Sequence, residues 1–158
     1  MIALDIMIEG GDWARLEGAE ALAQRAAEAA VAVADEADGE FEVSVMLTDD
    51  SHIRELNRTW RGKDKPTNVL SFPAPEPPGP LSPRHLGDIA LAYETLARES
   101  EEESKELAHH FAHLIVHGVL HLLGHDHEVE AEAEIMEGLE VKALATLGIA
   151  DPYRDMAA

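Results

Sequence analysis

Residues 117–127 read His117-Gly118-Val119-Leu120-His121-Leu122-Leu123-Gly124-His125-Asp126-His127, and few folds can accommodate that run. Its apolar spacing predicts a buried helix. His117 and His121 stand four apart, so both imidazoles lie on one face, one turn apart. Gly124 is a natural helix stop. Beyond it the chain can turn back and bring His127 in as a third ligand. Three neutral imidazoles on a tetrahedral zinc leave one open position, which is the arrangement of a catalytic site and not a structural one. Water in that position has its pKa lowered to about 7. The chain has no cysteine, so disulfides are excluded and only nitrogen or oxygen can hold a metal. The expectation is one zinc per chain on His117, His121 and His127, although three imidazoles accept several divalent ions.

Other histidines compete. His113 precedes His117 by one turn, but three residues spread over two turns are too far apart for one ion. His125 follows the bend closely and is the weaker choice. His109 and His110 read as structural. The spacing is that of the metzincin zinc proteases, whose signature places a glutamate base directly after the first histidine. Here that position is Gly118, which argues against peptide hydrolysis. Gly118 admits two explanations, close substrate approach or tight helix packing. Met136, set beside Ile135 and Leu139, reads as core.

Elsewhere the chain alternates between period two and period 3.6. Strands are expected over 2–8, 41–47, 68–72 and 87–93. Helices are expected over 13–35, 52–60, 94–123 and 129–147, the last burying Ile135, Leu139, Ala143 and Leu147. Asp49, Asp50 and Ser51 are N-cap candidates for the second helix. The acidic run 99–106 reads as a solvated face suited to a helix start. Residues 73–85 carry six prolines and read as an extended loop, either a connector or the rim of a cleft. The tail from Asp151 is expected to fray. The order predicts a single α/β (α+β) domain spanning 1–158. Its mixed sheet of about four strands would pack against helices, one of them a zincin-like metal-bearing helix.

The formal net charge is −20, which excludes nonspecific coating of nucleic acid or anionic membrane. No apolar run reaches the ~18 residues of a membrane span, and the first residues lack the basic region of a signal peptide. The expectation is a soluble, cytoplasmic protein with no membrane partner. Against this charge, Arg54, Arg58, Arg61, Lys63 and Lys65 fall within twelve residues and make up five of the twelve basic residues. A guanidinium matches phosphate oxygens. Arg61 is therefore the candidate catalytic cation, and Arg58, Lys63 and Lys65 are candidate substrate contacts. A merely solvated patch is the alternative. Trp60 reads as a core residue, with base stacking as its other reading. Metal-activated water beside a phosphate-binding arginine points to phosphodiester hydrolysis.

Residues 117–127 resemble the signature of the YbeY family, bacterial endoribonucleases of ribosomal RNA maturation. The family's pattern H-G-x-L-H-L-x-G-x-D-H is met in full, with His125 where tyrosine is common. The run Leu56-Asn57-Arg58-Thr59-Trp60-Arg61-Gly62-Lys63-Asp64-Lys65-Pro66-Thr67-Asn68-Val69-Leu70-Ser71-Phe72-Pro73 is also similar, as are Leu86-Gly87-Asp88-Ile89, Leu147-Gly148-Ile149 and Pro152-Tyr153. The resemblance covers about 41–153. It implies a single-strand-specific, zinc-dependent endoribonuclease acting in 3′-end maturation of small-subunit ribosomal RNA and in ribosome quality control. The family's zinc ligands map onto His117, His121 and His127, and its functional arginine onto Arg61. Implied partners are single-stranded ribosomal RNA and the small ribosomal subunit. The acidic balance suggests docking through a ribosomal protein or an assembly GTPase. The alternatives are a metalloprotease-like hydrolase and an assembly factor with a mainly structural zinc. His113, His125 and Asp126 stay open as general acids, and the nucleophile stays open too.

Overall fold

Period-two alternation in the sequence becomes a sheet with two unequal faces. The computed structural model describes residues 1–36, 38–75, 83–125 and 128–153. Four strands, β1 (Ile2–Ile8), β2 (Phe41–Thr48), β3 (Val69–Pro73) and β4 (Arg84–Ala92), form one sheet in the order β1-β2-β4-β3. The first three in that order are parallel, and β3 runs antiparallel to β4 along an edge. Among the described residues, five α-helices complete the fold: α1 (Ala19–Val33), α2 (Asp50–Arg61), α3 (Tyr93–Glu102), α4 (Leu107–Leu122) and α5 (Glu130–Thr146). This is the mixed α/β arrangement that the sequence predicts. No helix among the described residues is long and apolar enough to cross a membrane.

Strand β4 shows how the layers form. Its side chains alternate between faces. Ile89 and Leu91 join the main core, while Ala90 and Ala92 join a second, smaller cluster with Ile53 and Leu70. The main core contains α1, α4 and α5. Helix α1 approaches α4 closely because its inner face is almost wholly alanine: Ala19, Ala23, Ala26, Ala27 and Ala30 are buried. The second face carries α2, seated through Ile53. Helices α2 and α4 therefore lie on opposite sides of the sheet. The start of α2 is tied to α3 by a reciprocal pair. The Asp50 N–H donates to Glu94 Oε1 at 2.7 Å, and the Thr95 hydroxyl donates to Asp50 Oδ1 at 2.7 Å. Asp49 is the N-cap, accepting from the His52 N–H at 2.9 Å.

Several boundaries differ from expectation. The helix expected over 13–35 is a short 3-10 turn, Trp13–Arg15, followed by α1. Trp13 enters the core there, edge-on to Tyr93 and Phe111, and donates to the Thr48 carbonyl. The helix expected over 94–123 is two, broken between Glu102 and Leu107, with Ser104 at φ 55°. The acidic run thus ends one helix instead of opening another. Tyr93 belongs to α3 and not to the fourth strand. In the proline-rich segment, Pro73 closes β3 while Arg84 and His85 open β4; residues 76–82 lie outside the described residues. On α5 the buried positions are Met136, Glu140, Ala143 and Leu144, while Ile135 is 60% exposed. The tail does not fray at once, because Pro152 is buried and the Tyr153 hydroxyl reaches back to α5.

Candidate metal centre

Helix α4 is apolar on nearly every side, with Phe111, Ile115, Val116, Val119 and Leu120 fully buried, as a central helix must be. Between its two candidate ligands, Gly118 faces β4. A Cβ built there would stand 2.9 Å from Ile89 Cδ1, so a side chain at 118 would have to push the isoleucine aside. Of the two explanations for Gly118, this favours tight packing. The helix stops in a paired cap. The Gly124 N–H donates to the His121 carbonyl and the His125 N–H to the Leu120 carbonyl, both at 3.0 Å, with Gly124 at φ 104°. This left-handed turn is the Schellman ending that glycine favours, and it reverses the chain directly after His121.

His117 and His121 meet as the spacing predicts. Their ring centroids are 5.4 Å apart and their planes stand at 81°. Both are half-buried. His127, the expected third ligand, lies outside the described residues, as does Asp126. Met136 is wholly buried, as expected of a core residue.

A carboxylate that sequence reasoning missed stands behind this pair. Glu140 on α5 is 1% exposed. Its Oε1 accepts from His113 Nε2 and, at 2.8 Å, from the Tyr153 hydroxyl. Its Oε2 stands 3.5 Å from His117 Nδ1. Burial pushes the Glu140 carboxyl up, but hydrogen bonds from His113 and His117 outweigh it and hold the group at about 2. Burial, then the neighbouring Glu140 charge, pushes the Tyr153 hydroxyl above its ordinary 10.0. Glu140 is thus an anion facing two imidazoles. A carboxylate beside Nδ1 favours the proton there and leaves Nε2 as the outward lone pair, the usual second layer of a histidine metal site. The chemistry of the donor set therefore fits a zinc ion. One signal in the sequence could have found Glu140: an acid in register with Met136, Ala143 and Leu144 on a helix that must bury one face.

His117 opens onto a cavity of about 190 Å³ whose wall includes Asn68, Val69, Lys105, His113 and Tyr153. Lys105 brings a cation to this wall, held at 2.8 Å by Glu103, and it was not singled out in the sequence. Next to it, Glu99, Glu103 and His110 have ligand atoms within 4.8 Å of one another and could hold a cation. Glu99 is already engaged, receiving hydrogen bonds from His110 and from the Asn68 amide, both at 2.9 Å. His110 thus pairs with Glu99 inside the fold. His109 pairs with Glu106 at the surface.

The basic cluster lies across the sheet, on α2 and the loop after it. Arg54 pairs with Asp64 at 2.8 Å and Arg58 with Glu55 at 2.6 Å. Among the described residues the side chains of Arg61, Lys63 and Lys65 make no ion pair. Trp60 departs from its expected place in the core, since it is 70% exposed, with its ring edge-on to Phe72.

A family model described as "Endoribonuclease YbeY" matches residues 12–148. Curated relatives of that name include one from Bradyrhizobium diazoefficiens, 55% identical over 96% of this chain and 85% of its own length. Another, from Rhodopseudomonas palustris, is 52% identical over 97% of this chain and 82% of its own. The solution structure of TM1509 from Thermotoga maritima superposes with a TM-score of 0.59 at 25% identity, covering 94% of this chain and 92% of that one.

Proposed function

This chain belongs to the YbeY family of endoribonucleases, and from that premise we propose that it cleaves single-stranded RNA with one zinc ion held by His117, His121 and His127. The observation that carries the reading is the facing His117–His121 pair with a buried carboxylate behind it. Bound zinc supplies a Lewis acid for a phosphoryl oxygen and acidifies a coordinated water. The chain's own groups do the rest. Glu140 keeps the His117 proton on Nδ1, and His113 with Tyr153 holds Glu140 in place. Lys105, on the cavity wall, offers a positive charge to an incoming phosphate. Arg61 binds the RNA backbone where it passes edge strand β3, with Arg58, Lys63 and Lys65 as further phosphate contacts. Peptide hydrolysis is disfavoured because position 118, where the metzincin signature carries its glutamate base, is glycine.

The substrate we propose is small-subunit ribosomal RNA, at 3′-end maturation and in quality control, in the cytoplasm. Residues 1–158 would work as one domain. The net charge of −20 supports docking on the small ribosomal subunit through a ribosomal protein or an assembly GTPase. The test is zinc content and cleavage of single-stranded RNA by purified protein, with a chelator, casein and His117→Ala as controls. About one zinc per chain, chelator-sensitive RNA cleavage and intact casein are expected. Full zinc in His117→Ala, or full cleavage after zinc removal, would refute the reading.

A further inference from the structure

The face of the sheet opposite α4 is only partly covered. Helix α2 seats on Leu70, Ala90 and Ala92, and beside it runs an open groove of about 480 Å³ bounded by Met46, Leu56, Trp60, Phe72, Pro73 and Asp88. Its volume falls within the range of small-molecule sites. Trp60 lies at 70% exposure with its ring centroid 6.5 Å from that of Phe72. Exposing an indole to water is costly, and here nothing in the core requires it.

The charge around the groove says what covers it. Arg61, Lys63 and Lys65 follow Trp60 within five residues, and none makes an ion pair among the described residues. An apolar protein partner would strip water from these cations and offer them nothing. A flat aromatic group attached to phosphates suits both parts of the site. Only unpaired bases present such a face. Strand β3 joins the two sides of the molecule. Phe72 and Pro73 border the groove, while Asn68 and Val69 line the histidine cavity, and β3 is the sheet's edge. A single strand can therefore pass round one β-strand from groove to cavity.

We propose that the groove beside Trp60 is a nucleobase-stacking subsite, in which an unpaired RNA base lies on the indole while Arg61, Lys63 and Lys65 hold the flanking phosphates. Asp88 supplies an acceptor for a base N–H at the groove wall. The identity of the polymer rests on the endoribonuclease reading above.

The test is the affinity of the full chain for a fluorescein-labelled, non-cleavable 2′-O-methyl oligouridylate, followed by anisotropy. Trp60→Ala should weaken binding about tenfold, the loss of one base stack, and Trp60→Phe should restore most of it. Thermal melting should be unchanged, since the indole is exposed. Lys63→Ala should lower the salt dependence of binding by about one ion. Equal affinity of parent and Trp60→Ala would overturn the subsite; RNA cleavage persisting in both would leave the endoribonuclease reading intact. No binding by the parent, together with no cleavage, would overturn both. A dimer in sedimentation that Trp60→Ala splits, with RNA affinity unchanged, would make this face a contact between copies and overturn the subsite.

Discussion

Replacing Glu140 by glutamine preserves volume and removes one charge, which makes it a sharp probe of the candidate centre. The amide oxygen of the variant can still accept from His113 and Tyr153, because both use the same carboxylate oxygen, Oε1. The amide nitrogen must then face His117 Nδ1, where Oε2 now stands at 3.5 Å. An N–H cannot meet an N–H, so His117 would shift its proton to Nε2 and lose its outward lone pair. Loss of such a second-layer partner typically costs about 10- to 100-fold in metal affinity, or roughly 1.4–2.7 kcal/mol. Glu140→Ala removes the anion from a site that is 1% exposed. Its imidazole and hydroxyl partners lose their acceptor, so folding stability should fall by about 1–3 kcal/mol for each donor left unsatisfied. Tyr153→Phe deletes one hydrogen bond, worth about 1 kcal/mol, and should leave zinc binding nearly unchanged. Chelator competition gives the zinc affinity, and urea unfolding of metal-free protein gives the stability. Zinc binding by Glu140→Gln at the parent's affinity would refute the claim that this carboxylate sets the His117 tautomer.

Arg61→Ala should keep its zinc and its melting temperature but cut RNA kcat/KM roughly 10- to 100-fold, the loss of a charged hydrogen bond of about 1.5–3 kcal/mol. Cleavage at the parent rate would remove Arg61 from the site. Gly118→Ala gains ~1 kcal/mol of helix propensity but loses about 1–3 kcal/mol to overpacking against Ile89. A net loss is expected in urea unfolding, relieved by Ile89→Val; a stabilised Gly118→Ala would contradict the packing role. Burial pushes Glu99 up, but hydrogen bonds from His110 and Asn68 hold it below its ordinary 4.5. A depressed carboxylate stabilises the fold above 4.5, and that contribution is lost as pH falls through the folded value. The stability gap between the parent and Glu99→Gln should therefore stay level near neutrality and close only below about pH 4.5. A gap that closes between about pH 8 and 6 would reject the pairing.

The sequence carried most of the architecture because alternation and helical periodicity are local signals. All four strands were legible, since each has one dry face and often two. The break at Glu103–Glu106 was not. A run of acids suits a helix start, and only the pairing of Glu99 with His110 across the turn shows it ending a helix. Helix α5 was legible in part. Ala143 is buried and Leu139 and Leu147 pack against the core as expected, whereas Ile135 is exposed because the buried face is turned toward Met136 and Glu140, which meets His113. At the centre itself, the i,i+4 spacing fixed His117 and His121, because a helix admits only one geometry for that pair. Glu140, Tyr153 and Lys105 arrive from elsewhere in the chain, and no local pattern signals their convergence. Trp60 went astray because hydrophobicity predicts burial on average, whereas a binding face is where that average fails.

The contact between Gly118 and Ile89 also couples two parts of the molecule that are usually considered apart. The bare backbone at 118 rests on the isoleucine, so the elevation of both imidazoles above the strands is read directly from one aliphatic side chain. A shorter residue at 89 would lower them, and a longer one would raise them. The height of the ligand pair over the sheet can thus be retuned from inside the β-layer, by a substitution that never touches the metal or the RNA.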